Sequence, residues 1–424
     1  MFRESRQKDR GNNLRKEVLE IARDSISRVL PDKALAKVLS DHSFRDKIIL
    51  VSVGKAAWRM AREALEKIPS IEKGVVLTKY GHSPGPLPPL RIFEAGHPIP
   101  DENSFRATMD ILKMVEDLHP SDTVLFLLSG GGSALFEKPL PGISLDEFNQ
   151  FTRDLLECGA SIVEINTLRK RLSSVKAGRF ANHVSPGKMV SVILSDVLGD
   201  RIDSIASGPA FPDSTSVADV HRILQKYHLQ FSPKIMRYLE EETPKEISNV
   251  NTHVIGSVRI LCEEALSSAL ERGFIPDILT TSLDCEAREA GAFIAAIARE
   301  KRKIKAAYDP PLALIFGGET VVRVRGKGIG GRNQELALSA AKGISGLDKV
   351  VVLSIGSDGT DGPTDAAGAV VDGETLKRLE QKGMDIDALL YDNDSYHALE
   401  ITGDLIRTGP TGTNVNDLTL LLIG

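Results

Sequence analysis

Short, continuous apolar runs rich in Val, Ile and Leu recur along this chain and alternate with segments that carry a one-sided apolar stripe. Such runs are strands buried on both faces, because a strand with one wet face alternates apolar with polar residues. The pattern predicts strands over residues 47–53, 74–78, 91–94, 123–128 and 189–194. Helices are predicted over 55–67, 104–118, 145–159 and 165–183. An opening helix over 13–29 turns Leu14, Val18, Ile21 and Val29 to one side and is stopped by Pro31. Ser144 and Glu147 form a capping box for the 145–159 helix, each side chain satisfying the other's backbone donor. This alternation specifies an α/β fold with a doubly wound, mostly parallel sheet, whose ligands sit beyond the carboxyl ends of the strands.

With 424 residues the chain exceeds the roughly 150 of one domain. Between Ala210 and Asn251 the composition turns polar and includes Pro212, Pro233 and Pro244. A boundary near Val250 gives an N-terminal domain over 1–250 and a second α/β domain over 251–424. In the latter, strands are expected at 254–255, 277–281, 312–316, 350–355 and 418–423, with helices over 257–272, 287–303 and 333–342. Residues 321–325 are expected to form a hairpin with 312–316, since only Gly317, Gly318, Glu319 and Thr320 intervene.

The net charge of -5 lacks the cationic excess that binding a duplex requires, so no nucleic-acid partner is expected. Apolar runs such as 124–128 and 418–423 fall far short of the ~20 residues that span a bilayer. The first ten residues mix Arg and Lys with Glu and Asp, unlike a signal or transit peptide, and a cytoplasmic location is expected. Cys158, Cys262 and Cys285 lack metal-ligand spacing and read as inert thiols.

Ser129, Gly130, Gly131, Gly132 and Ser133 follow the 123–128 strand directly. Consecutive glycines let backbone N–H groups approach a ligand closely, which suits phosphate oxygens, although the Gly-Lys-Ser/Thr ending of a Walker loop is absent. Lys55 follows another strand at the start of a helix, where a cation meets the positive end of the dipole unless an anion is bound. Residues 166–179 hold Arg169, Lys170, Arg171, Lys176 and Arg179 without one acid. On a continuous helix Arg169, Ser173 and Lys176 share a face able to hold an anionic substrate. Asp196 and Asp358 lie in acidic turns after strands, placed to bind Mg²⁺ or accept a hydroxyl proton. Gly326, Gly328 and Gly331 match G-x-G-x-x-G, but the acidic partner expected ~20 residues on, at the end of the next strand, is missing. Arg325, Lys327 and Arg332 make that loop cationic instead, and Arg332 is suited to a bidentate clamp.

In order along the chain stand Gly96-His97-Pro98-Ile99-Pro100-Asp101, the 129–135 loop, the block from Asn166 to Lys176, Ser195-Asp196, Gly199-Asp200 and Ser207-Gly208-Pro209. Gly317-Gly318-Glu319-Thr320, Gly330-Gly331-Arg332-Asn333-Gln334-Glu335 and the run from Gly359 to Gly368 follow. This series resembles the glycerate 2-kinase family whose C-terminal portion is called MOFRL. It departs at Ala177 in place of a glycine, Leu198 in place of a proline and Val258 in place of an asparagine. The resemblance implies transfer of the γ-phosphoryl group of ATP to the 2-hydroxyl of D-glycerate, with Mg²⁺ or a similar divalent cation, in a cleft between the domains of a monomer or homodimer. It implies that residues 129–133 hold the nucleotide phosphates, and that Lys55, Arg332, Asp196 and Asp358 are catalytic, the two acids also holding metal. Arg169, Lys176, Asn166 and Asn333 are the substrate-binding candidates. Two other readings stand beside it: an NAD(P)-dependent hydroxypyruvate reductase, and a non-catalytic sugar-phosphate-binding protein.

Overall fold

The computed structural model describes residues 2–42, 44, 47–195, 202–304, 308 and 310–424. They fall into two compact units, one from residues 31–195 and 202–255, the other from 2–30 and 256–424.

The first unit is built on β1 (Ile48–Val53), β2 (Lys73–Lys79), β3 (Arg91–Ala95), β4 (Thr123–Leu128), β5 (Lys188–Leu194) and β6 (Val250–Gly256). Their spatial order is β3-β2-β1-β4-β5-β6, and the pairs from β3 through β5 are all parallel. Every residue of β1 is buried, as its unbroken apolar sequence requires. The chain runs outward from β1 to β2 and β3 on one side and continues through β4 and β5 on the other. The direction of winding therefore reverses between β1 and β4, and the carboxyl edge at these two strands is the switch point at which such sheets take their ligands. Beneath it Phe126, Phe136 and Phe180 meet edge to face or tilted, with centroids 4.9–5.9 Å apart. A satellite core of Phe148, Phe151, Leu168, Leu172, Val220 and Leu239 lies under helices, one of which, Leu145–Glu157, opens with the Ser144–Glu147 capping box.

The helix expected over 165–183 is not continuous. A helix over Ile162–Arg169 passes into a 3-10 turn, Lys170–Leu172, and a new helix begins only at Arg179–Val184. The break opens at Ser173, which is extended with φ of -104° and ψ of 138°, and closes at left-handed Ala177 and Gly178, with φ of 53° and 78°. Its cations turn inward: Lys170 and Arg171 pair with buried Asp213 at 3.4 and 3.5 Å. A basic run without local acids thus finds one 42 or 43 positions away.

The second unit holds β7 (Ile275–Leu283), β8 (Leu312–Gly318), β9 (Val350–Gly356), β10 (Gly368–Asp372), β11 (Leu405–Ile406) and β12 (Asp417–Ile423), in the order β11-β10-β9-β12-β8-β7. Only β7 and β8 pair in parallel; the other four pairings are antiparallel. The expected hairpin partner of β8 does not form, because β12 occupies that place and Val321 makes a lone bridge to Glu286. The opening helix, Phe2–Arg28, packs with this unit rather than beginning the first one. Arg272 bonds Asp24 at 2.7 Å, Arg28 bonds Glu271 at 2.6 Å, and Arg15 reaches Asp404 at 2.7 Å and Asp372.

Candidate active site

The turn after β1 and the turn after β4 touch because residue 54 is a glycine with φ of 122°. A Cβ there would stand 2.2 Å from Ser129 Oγ. The Ser129 hydroxyl accepts from the Ala56 N–H at 3.1 Å and donates to the Val53 carbonyl at 3.3 Å, while the Lys55 N–H donates to Gly130 O at 2.8 Å. Ser129 is 2% exposed, so its hydroxyl joins the two turns instead of facing a ligand as expected. Lys55 precedes the helix Ala57–Lys67 and is half-buried, and among the described residues no acid pairs with its ammonium.

Gly131 is left-handed, with φ of 88°, and caps the short helix Gly132–Leu135. A Cβ on it would lie 3.2 Å from the His97 ring and 3.5 Å from Lys55 Cγ, so these three residues line one spot at the switch point. The N–H groups of Gly131, Gly132 and Ser133 take no acceptor among the described residues. Ser133 Oγ lies 3.1 Å from Ser207 Oγ, which donates to Asn166 Oδ1 at 3.3 Å. Burial, with Lys55, Lys79 and His82 nearby, lowers the His97 imidazole to about 4 and leaves it neutral at pH 7. His97 and Ser207 are absent from the residues that the motifs singled out individually, although both lie in blocks that carry the family resemblance.

Lys176 and Arg169 do not present charge to solvent as an open anion-binding face would. Lys176 is fully buried and donates to the carbonyls of Ser133, Phe136 and Ala206. Arg169 is 8% exposed, lies over the Phe148 ring and sits 3.8 Å from Glu137. For Lys176 the physical reason is the broken helix, which folds it under the loop; Arg169 ends the first helix and lies there against the Phe148 ring.

In the second unit, Arg332 begins the helix Arg332–Gly343. The Asp361 carboxylate, from another loop, accepts the N–H groups of Asn333 at 3.2 Å and Gln334 at 2.9 Å and so caps that helix. Burial raises the Asp361 carboxyl. Gly331 leaves room for it, since a Cβ would fall 2.2 Å from Asp361 Cγ. Asn333 is 1% exposed; its amide bonds Asp361 at 3.3 Å and its oxygen accepts from Ser354 at 2.7 Å. Its polar atoms are thus engaged internally, not offered to a substrate as expected.

Arg332 meets Asp417 through Nε at 2.5 Å and Nη2 at 3.0 Å, and its Nη1 pairs with Glu319 at 3.0 Å. Burial pushes the Asp417 carboxyl up to about 6. Asp358 closes an Asx turn: Oδ1 accepts the Thr360 N–H and hydroxyl, both at 2.9 Å, and Oδ2 takes no bond among the described residues. Asp196 lies outside the described residues. Gly326 and Gly328 wrap closely over Asp392 and Asp394, while Asn393 accepts the N–H groups of Arg325 and Gly326 at 2.7 and 3.1 Å. Packing therefore accounts for the glycine spacing that suggested a dinucleotide fold. Among the described residues no three His, Cys, Asp or Glu side chains are grouped to hold a metal ion, and no helix is long and apolar enough to cross a membrane.

Residues 17–240 match the family described as Domain of unknown function (DUF4147), and residues 312–417 match the MOFRL family. The chain is 56% identical to a D-glycerate 2-kinase of Thermotoga maritima over 97% of its own length and 99% of that protein's. It is 43% identical to a glycerate 2-kinase of Pyrococcus horikoshii, over 90% and 89% of the two chains. A putative hydroxypyruvate reductase of Agrobacterium vitis is 39% identical over 90% of this chain and 88% of that protein. The crystal structure of a glycerate kinase from Thermotoga maritima superposes with a TM-score of 0.93, at 56% identity, covering 97% of this chain and all of that one. Two family models match and the similarity to these kinases is near full-length, so the chain belongs to the glycerate 2-kinase family.

Proposed function

We propose that this chain transfers the γ-phosphoryl group of ATP to the 2-hydroxyl of D-glycerate, giving 2-phosphoglycerate and ADP. The observation that carries the reading is Lys55, a half-buried ammonium that no acid pairs with among the described residues, set against Gly131 at the switch point of the first sheet. Phosphoryl transfer is mostly positioning and charge neutralisation, so a site of cations and free N–H groups needs no protein nucleophile. The N–H groups of Gly131, Gly132 and Ser133 cradle phosphate oxygens, and Lys55 neutralises the transferring group. Asn166, tied to Ser133 through Ser207, orients the substrate side of that loop.

Arg332 holds the glycerate carboxylate through Nη1, which the substrate takes over from Glu319. Asp196 and Asp358 divide the roles of metal ligand and general base. The uncommitted Oδ2 of Asp358 fits Mg²⁺, which takes most of its ligands from phosphates and water. When bound, such an ion supplies charge neutralisation at the phosphates. The reading takes the enzyme as cytoplasmic, working as a monomer or homodimer on small molecules alone.

The test is a coupled ADP-release assay over a panel of small hydroxy acids, with phosphorus NMR of the product. Release with D-glycerate and an ester at the 2-position are expected; no release, or an ester at the 3-position, overturns the assignment. The reductase reading predicts loss of reduced-nicotinamide absorbance with hydroxypyruvate, and a non-catalytic sensor predicts binding without ADP.

A further inference from the structure

Three backbone carbonyls converge on the ammonium of fully buried Lys176: Ser133 at 2.9 Å, Phe136 at 3.1 Å and Ala206 at 3.3 Å. The first two belong to the segment after β4, and the third precedes Ser207, whose hydroxyl links Ser133 to Asn166. One side chain therefore ties together the two segments that shape the loop. A neutral amine has only two N–H groups and cannot donate to three carbonyls, so the tie depends on the proton.

Burial works against that proton. Among the described residues, the charged groups that act on the ammonium most are Arg169 and Lys170, which also oppose the proton, and Glu137, which favours it. Glu137 is fully buried as well. Its Oε1 accepts the Lys138 N–H at 3.0 Å, while Oε2 accepts no hydrogen bond and lies 3.5 Å from Lys176 Nζ and 3.8 Å from Arg169 Nη2.

We propose that Glu137 is a positioning residue for phosphoryl transfer: it keeps Lys176 charged, and charged Lys176 holds Ser133 and Ser207 in register beneath the glycine loop. This rests on the functional reading above. Burial brings the Lys176 amine from 10.5 down to about 8, so mild alkali loosens the tie. Between those two pH values the unfolded chain carries a proton that the folded chain has lost, so this group's contribution to stability rises with pH. Activity falls over the same window. A side chain that merely fills space does not drive the two in opposite directions.

The experiment follows ADP release from ATP and glycerate between about pH 6 and 10 in the wild type, Glu137→Gln and Lys176→Met. Amide hydrogen exchange over residues 131–134 and thermal unfolding are measured alongside. The wild type is expected to lose activity around pH 8. In Glu137→Gln that limb moves about one pH unit toward acid. Lys176→Met is expected to lose about tenfold or more at every pH, without the limb, and to exchange faster in the loop. A folded Glu137→Gln protein with an unmoved limb overturns the proposal. So does a Lys176→Met protein with wild-type rates, should the glutamine variant not fold. A wild type that releases no ADP defeats the functional reading instead, and pH-dependent exchange at residues 131–134 then decides the Lys176 tie alone.

Discussion

Arg332 presents the edge bearing Nε and Nη2 to Asp417, which fixes the plane of the guanidinium and leaves Nη1 directed at Glu319. Asp417→Asn keeps the volume but withdraws the charge, and is expected to lower kcat/KM for glycerate about 10- to 100-fold. Because burial raises Asp417 to about 6, the wild type should lose activity as pH falls through that value, and the variant should lack this limb. The sign for stability is opposite: below about 6 the folded carboxyl takes up its proton before the unfolded one does, so this group's contribution grows toward 3.8. Lys55→Ala is expected to reduce turnover about 10²- to 10³-fold, with an unchanged melting temperature, since among the described residues no acid is left unpaired by it; steady-state rates and thermal unfolding check both variants. Lys55 and the glycines were legible in the sequence because their backbone requirements are local. The inward engagement of Lys176, Asn333 and Ser129 was not, because nothing local tells whether a polar atom meets a ligand or a distant carbonyl.

Ala177 illustrates how one backbone angle decides an element. Apolar periodicity supports a helix through residues 165–183, yet extended Ser173 ends it, and left-handed Ala177 and Gly178 close the break and swing Lys176 under the loop. Ala177 is nearly fully buried, and its N–H bonds the Ser207 carbonyl at 3.1 Å, which holds it there. Replacing it with glycine removes the left-handed penalty and is expected to stabilise the protein by about 1 kcal/mol in denaturant titration. Gly331→Ala should act oppositely and cost about 2 kcal/mol or more, since its methyl group collides with the Asp361 cap. Apolar runs located most strands, though not β10 and β11, and 321–325 forms none; direction in the second sheet stayed hidden, since a doubly covered antiparallel strand has the same unbroken apolar sequence as a parallel one.

At the scale of the molecule, the described residues leave the second unit after its first helix and rejoin it at residue 256. A helix with one apolar stripe does not say which sheet it covers. Its attachment is ionic as well as apolar: Arg15 and Arg378 share Asp372 and almost fully buried Asp404. Arg15→Ala is expected to lower the stability of that unit by about 1–2 kcal/mol, because Arg378 retains both acids; thermal unfolding reads the loss.

The strand β12 lies between β9 and β8, so it joins halves of the sheet that are otherwise not in register with each other. On a translating ribosome, the helix Phe2–Arg28 emerges well before this strand. The helix must therefore wait, unpaired, while the intervening unit is made and folds, and its apolar face is available to chaperones until the unit it belongs to has been synthesised.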